Sequence, residues 1–237
     1  MKKHIPNFIT CLNIICGCIS IVNALKGNLP IASLFIVLAA VFDFLDGFSA
    51  RLLKVQSDIG VDMDSLADVF SFGGAPAMII FVWMEKCIQN LPPDTLVGLI
   101  PYLPYCAFIV PAFSALRLAK FNHDERQRTD FIGLATPANA LFLGFLHFSS
   151  DQLLFVNNFW IVLGLTIIFS LLLISELPMF SLKFKHFKFK GNEVRYIFLL
   201  LSLILLIIFR LGAFPIIVLT YILISVTIYA IKKIQLL

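Results

Sequence analysis

Residues 196–209 read Tyr-Ile-Phe-Leu-Leu-Leu-Ser-Leu-Ile-Leu-Leu-Ile-Ile-Phe, and several other stretches of this 237-residue chain are almost as apolar. Such runs are continuous, whereas the wall of a membrane barrel alternates apolar and polar residues. Lipid offers backbone N–H and C=O groups no partner, so an apolar run of about 20 residues is satisfied by a transmembrane helix. Only 14% of the residues are charged and 60% are hydrophobic, against about 25% charged in a soluble domain. Such a chain cannot clothe a water-facing surface, which excludes a soluble enzyme. The expected fold is all-α, a polytopic membrane helical bundle.

Hydropathy places eight transmembrane helices near 6–25, 30–54, 61–86, 96–121, 133–149, 156–179, 194–210 and 213–232. An even count puts both termini on one side. If that side is the cytoplasm, it collects Lys2, Lys3, Arg51, Lys54, Arg117, Lys120, Arg126, Arg128, the basic tract from Lys183 to Arg195, Lys232 and Lys233, and leaves only Lys26, Lys86 and Arg210 opposite. That asymmetry is the positive-inside pattern, and it orients the chain in the cytoplasmic membrane with both termini facing the cytoplasm. The net charge of +4 calls for no nucleic-acid partner, because juxtamembrane cations meet anionic lipid headgroups. The tract at 183–190 alternates Lys with aromatic residues and reads as a headgroup-zone loop. It divides a six-helix part, 1–182, which holds the recognisable chemistry, from a basic loop and two nearly nonpolar helices, 183–237. Cys11, Cys16, Cys18, Cys87 and Cys106 form no paired framework and read as small hydrophobes. The basic N-terminus lacks a small-residue cleavage site, so the first helix is expected to be retained.

Against this apolar background, Asp43, Asp46, Asp58, Asp62, Asp64 and Asp68 crowd into 26 residues, six of fourteen acidic residues in the chain. An ionised aspartate near the centre of a membrane helix costs roughly 2.5–3.5 kcal/mol, so several together demand a partner, a cation or a water-filled cavity. Asp43 and Asp46 are three apart and Asp64 and Asp68 four apart, so each pair stands on one side of its own helix. If the two pairs converge, their repulsion is relieved by hard divalent cations with oxygen ligands, and a site for two metal ions is the economical arrangement. Asp58 and Asp62 read as ordinary loop acids. Intramembrane acids also line ion pathways, so a cation-coupled transporter is a second reading, although the acids lie toward one face rather than at the midplane.

Residues 43–68 spell D-x-x-D-G-x-x-A-R, eight residues, then G-x-x-x-D-x-x-x-D, through Asp43, Asp46, Gly47, Ala50, Arg51, Gly60, Asp64 and Asp68. This resembles, at all eight positions, the signature of the CDP-alcohol phosphotransferases, membrane enzymes of phospholipid synthesis. The resemblance implies that Asp43, Asp46, Asp64 and Asp68 hold two divalent ions, Mg or Mn, against the diphosphate of a CDP-linked donor. It implies also that Asp68 is the catalytic base. Gly47, Ala50, Arg51 and Gly60 would border the CDP-diphosphate. Missing Cβ atoms at the glycines allow close approach, and Arg51 offers a charged fork for phosphate oxygens. The opening Pro6-Asn7-x-x-Thr10-x-x-Asn13 is similar to the family's start, and Thr10 and Asn13 either reach the nucleotide or bond a neighbouring helix. The resemblance further implies a homodimer and an active site facing the cytoplasm.

The acceptor is read from other segments. Arg117-Leu-Ala-Lys-Phe-Asn122 and Phe131-Ile-Gly-Leu-Ala-Thr-Pro-Ala-Asn-Ala140 resemble the R-L-A-R-F-N and F-x-G-L-P-x-P-A-A-A segments of the family's phosphatidylserine synthase branch. Lys120, Ala135 and Asn139 depart from that pattern. The resemblance implies CDP-diacylglycerol and L-serine as substrates, with Arg117, Lys120 and Asn122 placed to meet a serine carboxylate or, alternatively, to anchor a helix end by snorkelling. Glycerol 3-phosphate or inositol phosphate as acceptor stays open at this point.

Overall fold

The computed structural model describes residues 4–55, 57–92, 98–124, 131–149, 157–180, 182 and 188–235. Arg126, Arg128 and most of the 183–190 tract lie outside them. Among the described residues, eight helical rods follow one another. Helix α1 (His4–Leu25) and α2 (Leu29–Leu53) form a tight hairpin, turned at Gly27, whose φ of +79° a side chain would strain. The third rod comprises α3 (Asp58–Asp68), a π-helical stretch (Val69–Gly74) and α4 (Ala75–Ile88). A 3₁₀ segment (Ile100–Phe108) containing Pro104 leads into α5 (Ile109–His123). Then come α6 (Thr136–Phe145), extended by a 3₁₀ turn to Ser149, α7 (Phe159–Ile174), α8 (Glu193–Phe209) and α9 (Ala213–Gln235).

Five stretches are long and apolar enough to cross a membrane: His4–Leu25, Leu29–Leu53, Asp58–Ile88, Ile100–His123 and Glu193–Ile231. The last turns at Arg210, where φ is +50°, so that α9 packs back on α8. With the shorter α6 and α7 rods, this is the all-α membrane bundle that the hydropathy predicts. Two local departures stand out. The third span is interrupted by the π-helix, and the sixth ends at Ile174 rather than near 179. Ser175 takes an extended conformation there, and Pro178, which has no N–H to continue a helix, pairs instead with Ile132. The strands β1 (Phe131–Ile132) and β2 (Pro178–Met179) form an antiparallel clasp across the ends of α6 and α7.

Small residues and hydroxyls join the rods, as they do where lipid provides no hydrophobic drive between helices. Ser20 Oγ donates to Ala32 O at 2.7 Å, Ser33 Oγ to Gly144 O at 2.5 Å and Ser71 Oγ to Asn13 O at 3.0 Å. A Cβ added at Gly17 would come within 2.9 Å of Ser71 Cα, so α1 and the π-helix touch only because Gly17 is bare. Ala32, Ile36, Ala39, Phe72, Ala75 and Ile79 fill the seam beyond that contact. Together these joints bring the first turns of α1 and α3 to the end of α2 that bears its acids.

Candidate functional site: an acidic centre between two cavities

Helix α2 ends at Lys54, whose left-handed conformation (φ 53°) lets its N–H reach back to Ala50 and Arg51 carbonyls. Three residues later Ser57 caps α3, its hydroxyl accepting from the Gly60 N–H at 3.1 Å. The short connection folds α3 back toward α2, so Asp43 faces Asp64 and Asp68. One oxygen from each of these three carboxylates lies within 4.8 Å of the other two. Asp64 Oδ1 and Asp68 Oδ1 are buried with no hydrogen-bond partner. Three clustered carboxylates, two of them with a buried oxygen lacking a partner, are the donor set of a hard divalent cation, so the residues fit a metal ion.

Asp46 stands beside this triad rather than in it. Three residues of an α-helix turn through about 300°, leaving Asp46 about 60° round the helix from Asp43. It is buried, and its Oδ2 accepts from Thr10 Oγ1 of α1 at 2.7 Å. Thr10 is thereby given a definite task, holding Asp46 toward a cavity of about 270 Å³ that is lined by Asn7, Thr10, Gly47, Ala50, Arg51, Gly60 and Asp64 among others. The predicted diphosphate residues thus converge on one cavity, with Asn13 excepted. Asn13 is fully buried one turn deeper in α1, and neither polar atom of its side chain has a partner. Asn7 and Ser57, which the sequence reading did not single out as binding groups, share the cavity. A serine three residues before Gly60 was the available signal for Ser57, as a helix cap. Asp58 and Asp62 are exposed.

A second cavity, of about 440 Å³, is lined by Arg117, Lys120, His123, Asp124, Ile132 and the 173–176 turn, including Glu176. Arg117 is 7% exposed, its Nε has no hydrogen-bond partner, and its guanidinium lies 5.7 Å from the Phe121 ring centroid. It is within electrostatic reach of Asp68, which links this cavity to the acids. Lys120 is exposed at the rim. Asn122 does not line this cavity: its amide donates to Ser65 Oγ at 2.9 Å, joining α5 to the α3 turn between Asp64 and Asp68. A two-dimensional reading of Arg117, Lys120 and Asn122 as one cluster could not show that Asn122 lies on a different side of α5.

A bundle of membrane helices with carboxylates gathered at one end, flanked by one cavity that carries an arginine fork and another of mixed charge, defines an integral membrane protein built to handle a charged, phosphate-bearing substrate. Residues 3–172 match the family model of the CDP-alcohol phosphatidyltransferases, and the chain belongs to that family. It is 34% identical over 191 residues to the CDP-diacylglycerol–serine O-phosphatidyltransferase of Bacillus subtilis (strain 168), across 81% of this chain and 95% of that protein. The protein of the same name from Methanocaldococcus jannaschii is 35% identical over 196 residues, 82% of this chain and 79% of its own length. That from Mycobacterium leprae (strain TN) is 35% identical over 187 residues; the match takes in 74% of this chain but only 57% of that longer protein.

Proposed function

We propose that the protein transfers the phosphatidyl group of CDP-diacylglycerol to the hydroxyl of L-serine and releases CMP. The observation that carries this reading is that the Asp43–Asp64–Asp68 triad adjoins one cavity through Asp64 and is linked to a second, of different chemistry, through Asp68 and Arg117. The cavity at Thr10, Asp46, Gly47, Ala50, Arg51 and Gly60 takes the CDP moiety, with Arg51 on the diphosphate. The cavity at Arg117 takes the acceptor. Its lining holds cationic groups together with Asp124 and Glu176, which suits a zwitterion better than a phosphorylated alcohol, and Arg117 and Lys120 meet the serine carboxylate there. The serine oxygen forms a bond to the diacylglycerol-linked phosphorus as the bond from that phosphorus to the CMP oxygen breaks. Asp68, the member of the triad within electrostatic reach of Arg117, takes the hydroxyl proton. Asn13 stays in reserve as a buried polar group lying behind Thr10, and Asn122 holds Ser65 rather than serine.

Asp43, Asp64 and Asp68, with Asp46 beside them, would hold two divalent ions, Mg or Mn, and such ions would supply neutralisation of the negative charge on the diphosphate and on CMP. The acid-bearing end faces the cytoplasm. Arg51, Lys54, Arg117 and Lys120 sit at that end, while Lys86 bonds the Gly27 carbonyl at the other at 3.4 Å, in keeping with the positive-inside pattern. Acyl chains remain in the bilayer while nucleotide and serine enter from water. The working unit is a homodimer in which residues 1–182 form the catalytic core.

The test is CMP release by the purified protein with CDP-diacylglycerol and Mg or Mn, supplying serine, glycerol 3-phosphate or inositol phosphate in separate reactions, each with an EDTA control. Metal-dependent release with serine is expected. Release only with a phosphorylated acceptor would overturn the assignment of the Arg117 cavity, and release that persists in EDTA would overturn the role given to the triad.

A further inference from the structure

The family match ends at residue 172, so α8 and α9 lie beyond the matched segment, yet α9 holds the strand that pairs with Ile132, a residue lining the Arg117 cavity. Tyr221 of α9 is buried, and its hydroxyl donates to the Phe180 carbonyl at 2.9 Å. One turn further on, Ser225 Oγ accepts from the Phe180 N–H at 3.4 Å while donating to Tyr221 O at 2.8 Å. Both backbone groups of Phe180 are therefore held by α9. Its ring is held too, 4.9 Å from Tyr221 and 5.7 Å from Phe198 of α8 between centroids.

Phe180 directly follows β2, and β2 closes on β1. Phe131 pairs with Met179 and Ile132 with Pro178. Gly133 N–H donates to Leu177 O at 2.8 Å, and Leu134 N–H to Leu172 O at 3.0 Å. Gly133 has a φ of +76°, and a Cβ there would stand 2.7 Å from Leu173 O and 2.9 Å from Ser175 O, so the clasp is as tight as a glycine permits. The segments joined this way, Ile132 and 173–176, line the same cavity as Arg117 and Lys120. Tyr221 itself lies within electrostatic reach of Arg117.

We infer that the C-terminal helix pair is part of the acceptor site, and that Tyr221 is a positioning residue which, through Phe180 and the β1–β2 clasp, fixes the wall of the acceptor cavity at Ile132 and 173–176. The inference rests on the proposed transferase reading for what fills the cavity, but not for the mechanical link from α9 to the clasp. Among the described residues no hydrogen bond joins α9 to the CDP cavity, which is lined by residues of α1, α2 and α3 and the turn between the last two, so the effect is expected at the acceptor alone.

The test uses the full-length protein and Tyr221→Phe, which deletes one hydroxyl and keeps the ring against Phe180 and Phe198. One hydrogen bond of ordinary net strength corresponds to a rise in the serine KM of roughly threefold to tenfold, with kcat and the CDP-diacylglycerol KM unchanged. Hydrogen exchange of the amides at 131–134 and 177–180 accelerates in the variant, while exchange in α1–α3 does not. An unchanged acceptor KM, equal rises in both KM values, or unaltered exchange in the clasp would each overturn the inference. If the wild-type protein turns over only with another acceptor, the serine reading fails, and that acceptor's KM decides the inference in its place. If it turns over with none, the exchange comparison alone decides it.

Discussion

The acid-bearing half of the first six rods and the α8–α9 pair are both membrane helices, but they differ in how their polar side chains are satisfied. In α8 and α9, Ser202, Thr220, Ser225 and Thr227 each donate to the carbonyl four residues earlier, at 2.8 Å in every case. A hydroxyl that bonds its own helix needs no donor or acceptor from its surroundings, although Ser225 also accepts from the Phe180 N–H. In the other region, side-chain atoms of Asn13, Asp64, Asp68, Ser114, Arg117, Thr136 and Asn139 are buried with no partner. Trp83 and His147, at the opposite end of the bundle, are the other residues in that state among those described. Native proteins leave few such groups, so their presence on Asp64 and Asp68 of the triad and on Arg117 beside it marks the place where substrate, water or cation completes the structure. The comparison teaches that in a membrane protein the site is found by unsatisfied polarity rather than by polarity itself.

Four substitutions sharpen that contrast. The largest effect is expected from Asp68→Asn, which keeps the shape of the triad but removes the group assigned as base. Turnover should fall by about 10²–10⁴-fold, with CDP-diacylglycerol binding retained in an equilibrium measurement; near wild-type turnover would take the base assignment away from Asp68. A smaller and more selective loss is expected from Arg117→Gln. An ion-paired hydrogen bond to a charged ligand is worth about 1.5–3 kcal/mol, so the serine KM should rise by about tenfold or more while the CDP-diacylglycerol KM holds. Equal loss for both substrates would show that Arg117 serves the fold and not the acceptor. The smallest effect belongs to the other region. Ser202→Ala and Thr227→Ala delete hydroxyls already satisfied within their helix, and stability in thermal unfolding should change by less than about 0.5 kcal/mol, with steady-state parameters unaltered. A marked loss of activity from either would break the distinction between the two regions.

The eight spans were legible because lipid imposes a length and a continuous apolar character that a single sequence displays in full, and their centres coincide with the eight rods. The signature from Asp43 to Asp68 was legible for a related reason: acids are so costly in apolar helices that their spacing stands out. Where the reading of the sequence fell short, the deciding contact was remote in the chain. Nothing in Val69–Gly74 announces a π-helix; it arises where Gly17 of α1 and Pro111 of α5 both crowd Ser71 and Gly73. Helical register put Asp43 and Asp46 on one side of α2, but only the direction of approach of α3 and α1 could assign one to the triad and the other to Thr10. Asn122 was grouped with Arg117 by proximity in sequence, and Ser65, 57 residues away, claims it.

By itself the sequence determined that this is a helical membrane protein, that it carries a cluster of carboxylates which something must neutralise, and which family signature those carboxylates belong to. Each of these is a statement about residue type and local spacing, and local spacing is all that hydropathy and helical periodicity record. The tertiary structure decided how the acids divide between a triad and a cavity wall, that a two-strand clasp replaces the end of the sixth helix, and that α9 grips this clasp through Tyr221 and Ser225. Those outcomes depend on hydrogen bonds between residues some 40 positions apart, whose geometry no periodicity in a single chain encodes.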